Sequence, residues 1–224
     1  MKKLTWFYSL LILTLPLSGQ RNADYGIIGG ISSYIGDINP SKIFYAPRIA
    51  GGLFYRYNFH QRQSVKVNLL YGGLQADDLD FDNSYQQNRA ASFSGSVGEL
   101  SAQFEFNFFN YSTMGKRWNY SPYIAGGIGI AMVNSSSFTI VPVIPLSAGF
   151  KINIYKNLGL EVEYGFRKTF YDNFDGLTDF IDPADHTWLH NNDWYTFAGI
   201  GLTWKMYNKL AGCPAYNDVD SKRK

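Results

Sequence analysis

The residues whose types and spacing could do chemistry fall in four places. Asp78, Asp80 and Asp82 alternate with Leu79 and Phe81 like the opening of a calcium loop. An EF-hand needs Gly at its sixth position and Glu at its twelfth, where this chain has Asn83 and Arg89. The stretch therefore reads as an acidic, solvated loop. His186 and His190, flanked by Asp182, Asp185 and Asp193, would meet on adjacent turns of a helix and hold a transition metal. Pro183 and the surrounding Asn and Asp predict an irregular loop instead, so no metal site is assigned. Gly126, Gly127 and Gly129 form a fragment of a nucleotide-binding turn whose last glycine is missing, and they read better as strand glycines that ease close packing. The fourth place is a set of carboxylates, Glu99, Glu105, Glu161 and Glu163, which could form an acid/base pair or line a selective pore. What they do depends on the elements that position them.

Those elements alternate with period two rather than with helical spacing. In 64–74, Val65, Val67, Leu69 and Tyr71 share one face, with Lys66, Asn68 and Gly72 on the other. In 99–108, Leu100, Ala102, Phe104, Phe106 and Phe108 alternate with Glu99, Ser101, Gln103, Glu105 and Asn107. The segments 144–154 and 158–166 repeat the pattern, and strands are predicted at 24–35, 48–59, 120–133 and 194–206. Each of the eight is near the ~9–11 residues that a tilted strand needs to cross a bilayer. Short turns at 60–63 and 155–157 and a medium one at 110–119 alternate with mostly longer loops at 36–47, 76–89 and 170–193, the exception being 134–140. The sequence predicts an all-β fold: an eight-stranded antiparallel transmembrane barrel of the OmpA/OmpX kind, with both termini periplasmic. Tyr55, Tyr57, Phe59, Phe108, Trp118, Tyr120, Tyr155 and Trp204 would form an aromatic girdle at the periplasmic ends. Alternation alone does not say which face points inward, and a soluble lipocalin-like barrel with an apolar cavity is the competing reading.

With the apolar face toward lipid, Arg56, Lys66, Lys151, Arg167, Glu99, Glu105, Glu161 and Glu163 enter the lumen, four bases and four acids. Eight strands leave a lumen that side chains just fill, so these charges are expected to pair as a structural network. Lys151 and Glu161 flank one turn symmetrically and are expected to bond directly; Glu105 is expected to face Lys66. A rim-acting lipid hydrolase or acyltransferase would need Ser, His and a carboxylate together, and no serine is arranged with His60, His186 or His190. No catalytic, cofactor or metal residue is assigned, and the chain is read as non-enzymatic.

Lys2 and Lys3, an apolar run over 4–17 and Gly19 predict a secretory signal peptide at 1–19. The barrel is then 20–206 and a periplasmic tail 207–224. Without Lys2 and Lys3 the chain carries 18 basic and 18 acidic side chains, which argues against a nucleic-acid partner. The neutrality conceals an order, with acidic loops at one rim and basic turns and tail at the other. Cys213 stands alone in the tail and cannot close an intramolecular disulfide.

Seven segments together resemble a family: GGISSYIGDINP (29–40), GGLFYRYN (51–58), ELSAQFEFNFF (99–109), SPYIAGGIGI (121–130), RKTFYDNFD (167–175), DWYTFAGIGLTW (193–204) and CPAY (213–216). They are similar, in order and over nearly the whole mature chain, to the PorG-like outer-membrane proteins of Bacteroidota. The resemblance implies a component of the type IX secretion system, associated with a periplasmic ring of PorK- and PorN-like proteins, in a system that exports cargo and supports gliding motility. It brings no catalytic residues. Trp204, Lys205, Tyr207, Lys209, Cys213 and Tyr216 are the expected contacts with that ring, and no small-molecule substrate is expected. The alternatives are a stand-alone barrel for surface adhesion or envelope integrity, and a lipid-modifying enzyme. Gene neighbours encoding ring lipoproteins would favour the first reading.

Overall fold

A computed structural model describes residues 23–205 except 37, 40, 41, 83, 114–116, 136–137, 156 and 171–192. The expected signal peptide, the histidines His186 and His190, and the tail residues Tyr207, Lys209, Cys213 and Tyr216 lie outside the described residues. The strands are β1 (Ala23–Ile35), β2 (Arg48–His60), β3 (Gln63–Asp77), β4 (Ser92–Asn107), β5 (Tyr120–Asn134), β6 (Phe138–Tyr155), β7 (Leu158–Thr169) and β8 (Trp194–Lys205). Each pairs antiparallel with its chain neighbour, and β8 returns to β1, so the sheet closes into an eight-stranded barrel.

Closure removes every sheet edge, so each strand needs only to sort its two faces. The exterior is apolar: Leu53, Leu69, Phe104, Ile128, Leu146 and Ile200 are all about half or more exposed. The eight ionisable side chains expected in the lumen point inward and are buried. This is the reverse of a soluble barrel with an apolar cavity, and it excludes the lipocalin-like reading. No helix among the described residues is long and apolar enough to cross a membrane.

The two ends differ in their connections. At the turn end, β2–β3 and β6–β7 close through tight turns, each preceded by a register shift, at Asn58/His60 and Asn153/Tyr155. The expected girdle gathers here on the outer wall, where Tyr25 packs on Tyr55, Tyr57 on Phe59 and Tyr120 on Phe150. At the loop end the strands outrun their predicted limits. β4 begins at Ser92 rather than 99 and β6 at Phe138 rather than 144. The added part of β4 is rich in Ser and Gly and lacks an apolar alternation, yet it pairs fully with β3 as far as Asp77 opposite Ser92. The 76–89 segment, expected as a loop, contains a 3-10 turn (Asp78–Asp80) and a short helix α1 (Ser84–Arg89).

Candidate functional site: the sealed lumen

The lumen is built in three storeys. At the turn end Asp24 opens β1 and is buried. It accepts from Asn58 Nδ2 at 2.8 Å and from Thr113 Oγ1 at 3.0 Å, with Lys205 Nζ 4.0 Å away. Thr113 belongs to the β4–β5 connection, which tucks Tyr111, Ser112 and Thr113 into the barrel mouth. Tyr111 N–H donates to the Gln61 carbonyl at 3.1 Å, and Asn153 Nδ2 to the Ser112 carbonyl at 2.5 Å. Gly159 makes room for this plug, since a Cβ there would stand 2.8 Å from the Tyr111 hydroxyl. Burial raises the pKa of that hydroxyl. The connection leaves the mouth through Trp118, held at φ 66° by its N–H bond to the Asn153 carbonyl. Beside the plug lies a vestibule of about 430 Å³ lined by Asn58, His60, Tyr111, Ser112 and Lys205 among others.

The middle storey holds all eight predicted lumen residues, each 0–2% exposed. Glu105 is its hub. Arg56 meets it with Nε at 2.6 Å and Nη2 at 3.2 Å, Lys151 Nζ at 2.6 Å, Ser64 Oγ at 2.8 Å and Lys66 Nζ at 3.4 Å. Arg56 also binds Glu161 at 2.5 Å, and Lys66 bonds Glu163, which takes the Tyr123 hydroxyl at 2.8 Å. Arg167 continues the chain from Glu163 at 3.3 Å to Glu99 at 3.4 Å, and Tyr195 OH and Ser101 Oγ each close on Glu99 at 2.6 Å. The network thus runs unbroken across the lumen, with charge-assisted bonds in place of hydration.

Two expectations change. Lys151 and Glu161 are register partners across β6–β7, but the Lys151 ammonium crosses the lumen to Glu105 and Asn107 while Arg56 takes Glu161. On its way the lysine passes Ser121 and lies over the ring of Tyr123, the large inner residue of the intervening strand, with Nζ 4.1 Å from the ring centroid. Lys205, expected at a partner surface, is an inward residue of β8, 8% exposed and paired with Asp24. Trp204 faces outward beside Tyr25 as part of the girdle. With Asp24 and Lys205 added, the ion-paired groups of the lumen number five acids and five bases among the described residues, and Asp193 is a further buried acid at the loop end.

The upper storey is apolar. Tyr34, Leu74, Val97, Ala131, Val133, Val141, Val143 and Tyr195 from the strands meet Ile38 and Phe81 from the loops in one buried cluster. The loops are fastened over it. Asn39 donates to the Tyr34 and Lys42 carbonyls at 2.8 and 2.7 Å, Gln86 to the Ile38 carbonyl at 2.8 Å, and Tyr34 OH to Asp193 at 2.5 Å. Asp78 is no calcium ligand: its carboxylate is gripped by Arg89 at 2.7 and 2.8 Å and by the Ala91 N–H at 3.0 Å. Burial opposes ionisation of Asp78, but those bonds hold its carboxyl below the ordinary range. Asp80 instead takes the Tyr45 hydroxyl at 2.6 Å, and burial together with this bond pushes that hydroxyl up to about 12. Among the described residues no group of three or more His, Cys, Asp or Glu could hold a metal. His60, the one described histidine, lies exposed at the end of β2 and accepts from the Arg62 N–H at 3.3 Å. Gly126, Gly127 and Gly129 lie within β5, in the barrel wall and away from any loop.

Sequence reasoning missed Asp24, Tyr123, Tyr195 and the 111–113 plug. Asp24 and Tyr195 both keep the inward parity of their strands, a signal the alternation already carried. The plug has no periodic signature.

A charged lumen inside an apolar wall, closed by eight strands, defines an outer-membrane-type β-barrel. The chain belongs to the DUF6089 family, a domain of unknown function, which matches residues 2–215. The fold is similar to that of Neisserial surface protein A, with a TM-score of 0.51 at 9% identity, covering 83% of this chain and 97% of that one. Ail, the attachment invasion locus protein of Yersinia pestis, gives 0.45 at 16% identity, covering 81% and 97%. OprG from Pseudomonas aeruginosa gives 0.44 at 11% identity, covering 84% and 99%. No curated protein matches the chain.

Proposed function

We propose that this chain spans the outer membrane of a Gram-negative bacterium as a non-enzymatic component of the type IX secretion system. In this reading both termini are periplasmic and the turn end docks on a periplasmic ring of PorK- and PorN-like proteins. The observation that carries it is the sealed lumen. The largest charged side chains are buried against one another between a polar plug below and an apolar cap above. A barrel filled in this way offers neither a pore nor a reachable carboxylate, so its working surfaces are its rims and its lipid-facing wall.

Outer-membrane residence is supported by the apolar exterior, the aromatic girdle and the likeness of fold. The assignment to type IX secretion is supported by the ordered motif series from GGISSYIGDINP to CPAY. At the turn end Arg62 and Arg117 are exposed, while at the loop end exposed acids (Asp80, Asp82) and bases (Lys42, Arg48) are mixed. The turn-end arginines suit a partner of acidic surface below the membrane, where long-range attraction orients the encounter. The test is affinity purification of the tagged full-length barrel from native membranes. Co-purification of the ring proteins, reduced by Arg62→Glu with Arg117→Glu, is expected, with loss of cargo export on gene deletion. A barrel that purifies alone and whose deletion leaves export intact would instead favour a stand-alone adhesin or envelope protein. Altered lipid A or phospholipid on deletion would favour the enzyme.

A further inference from the structure

The ion pairs do not satisfy every polar atom among the described residues, and four of those left over, on Gln103, Ser147 and Arg167, lie on two adjacent rows of the wall. Gln103, fully buried, has no partner for either Nε2 or Oε1. Across the ladder it faces Gly127, and Pro145 of β6 continues the same row to Arg167. Glycine and proline offer no side-chain donor or acceptor there. The β5–β6 ladder also lapses at this level: Gly126 pairs with Leu146 and Gly129 with Val143, but the two residues between them on each strand do not pair. One row nearer the turn end, Ala125, Ser147 and Gly165 lie side by side. Ser147 Oγ and Arg167 Nη1 are both buried without a partner. A Cβ on Gly165 would stand 2.5 Å from each, so the two atoms lie within about 5 Å of one another. Two hydrogen bonds of about 2.8 Å meeting at one oxygen bridge such a gap.

We infer that this small-residue wall binds internal water, with one molecule bridging Ser147 Oγ and Arg167 Nη1 over Gly165 and further water on the Gln103 amide. The ligand must both donate and accept, since the orphaned atoms include an amide N–H₂, a guanidinium N–H, an amide carbonyl and a hydroxyl. Water meets that requirement, and a buried polar group left dry is costly. An anion fits poorly. Arg167 already serves Glu99 and Glu163, which neutralise it at that point of the lumen.

The sign of two substitutions decides the matter. If the groups are water-bonded, Ser147→Ala and Gln103→Met each remove a hydrogen-bonding partner, and the thermal midpoint of the full chain in phospholipid falls by about 2–4 °C. If the groups are dry, each substitution deletes an orphan and the midpoint stays or rises, which overturns the site at that residue. A crystallographic map that resolves ordered water should show it over Gly165. An empty notch, or an anomalous peak there after bromide soaking, overturns the assignment.

Discussion

The two ends of the lumen are closed by opposite chemistry. The turn-end two-thirds is filled by charge, in a chain of pairs from Asp24 and Lys205 through Glu105 to Arg167 and Glu99. The loop end is filled by carbon, with Leu74, Val97, Val133 and Val143 packed under Ile38 and Phe81. Both occupy the narrow interior that eight strands enclose. They hold it under different rules. An apolar cluster asks for volume and forgives identity, whereas a buried ion network asks for identity, because removing one partner strands the other. The charged storey therefore specifies the barrel's pairing, and the apolar storey seals it.

That contrast can be broken first at its hub. Glu105→Ala leaves Arg56, Lys66 and Lys151 without their shared carboxylate, and equilibrium urea unfolding in lipid vesicles should show a loss of about 3–5 kcal/mol. Volume-conserving swaps sharpen the difference. Lys66→Met keeps the bulk but removes the ammonium that bonds Glu163 and Glu105, and its cost should approach that of Glu105→Ala. Leu74→Met, at a site 1% exposed, should cost less than about 1.5 kcal/mol by the same measurement. Equal costs for the two would dissolve the distinction between the storeys.

The loop fastening comes next in size. Arg89→Ala removes the paired bonds to Asp78 and should cost about 1.5–3 kcal/mol, seen as faster proteolysis of the 78–91 segment. Because the folded-state pKa of Asp78 is depressed, its stabilisation is present above the ordinary aspartate value of about 4 and is lost as pH falls below it. Arg89→Ala should flatten that acid limb. The smallest effect is expected at Ala90, which ends α1 at φ 47° while its N–H bonds the Gln86 carbonyl at 2.8 Å. Glycine suits this left-handed cap better, so Ala90→Gly should gain about 1 kcal/mol in the same unfolding assay.

Much of the charged storey was legible in sequence because strand parity is strict. Once 99–108 is read as alternating, Glu99 and Glu105 share a face whatever the length of the strand. Partner choice was less legible. Lys151 lies opposite Glu161 in register, but a long flexible ammonium bonds the best carboxylate within reach, and in three dimensions that is Glu105. Lys205 was misplaced because it ends the last strand, where sequence does not show whether the lumen or the aqueous rim claims a residue. The apolar storey was hidden for a different reason. Its inward Val133 and Val141 alternate with the outward Met132 and Ile140, so period two gives no contrast there. The Tyr111–Thr113 plug and the long β4 were hidden because Ser and Gly carry no periodic hydrophobic signal.

In the proposed function the lumen is a sealed structural core and the molecule acts through its surfaces. Planar-bilayer recording of the purified full-length barrel tests it most directly. No stable conductance steps are expected for the native protein across a wide range of voltage and salt. Reproducible steps whose amplitude shifts with Glu105→Gln would mean that ions pass the network and that the lumen is not sealed.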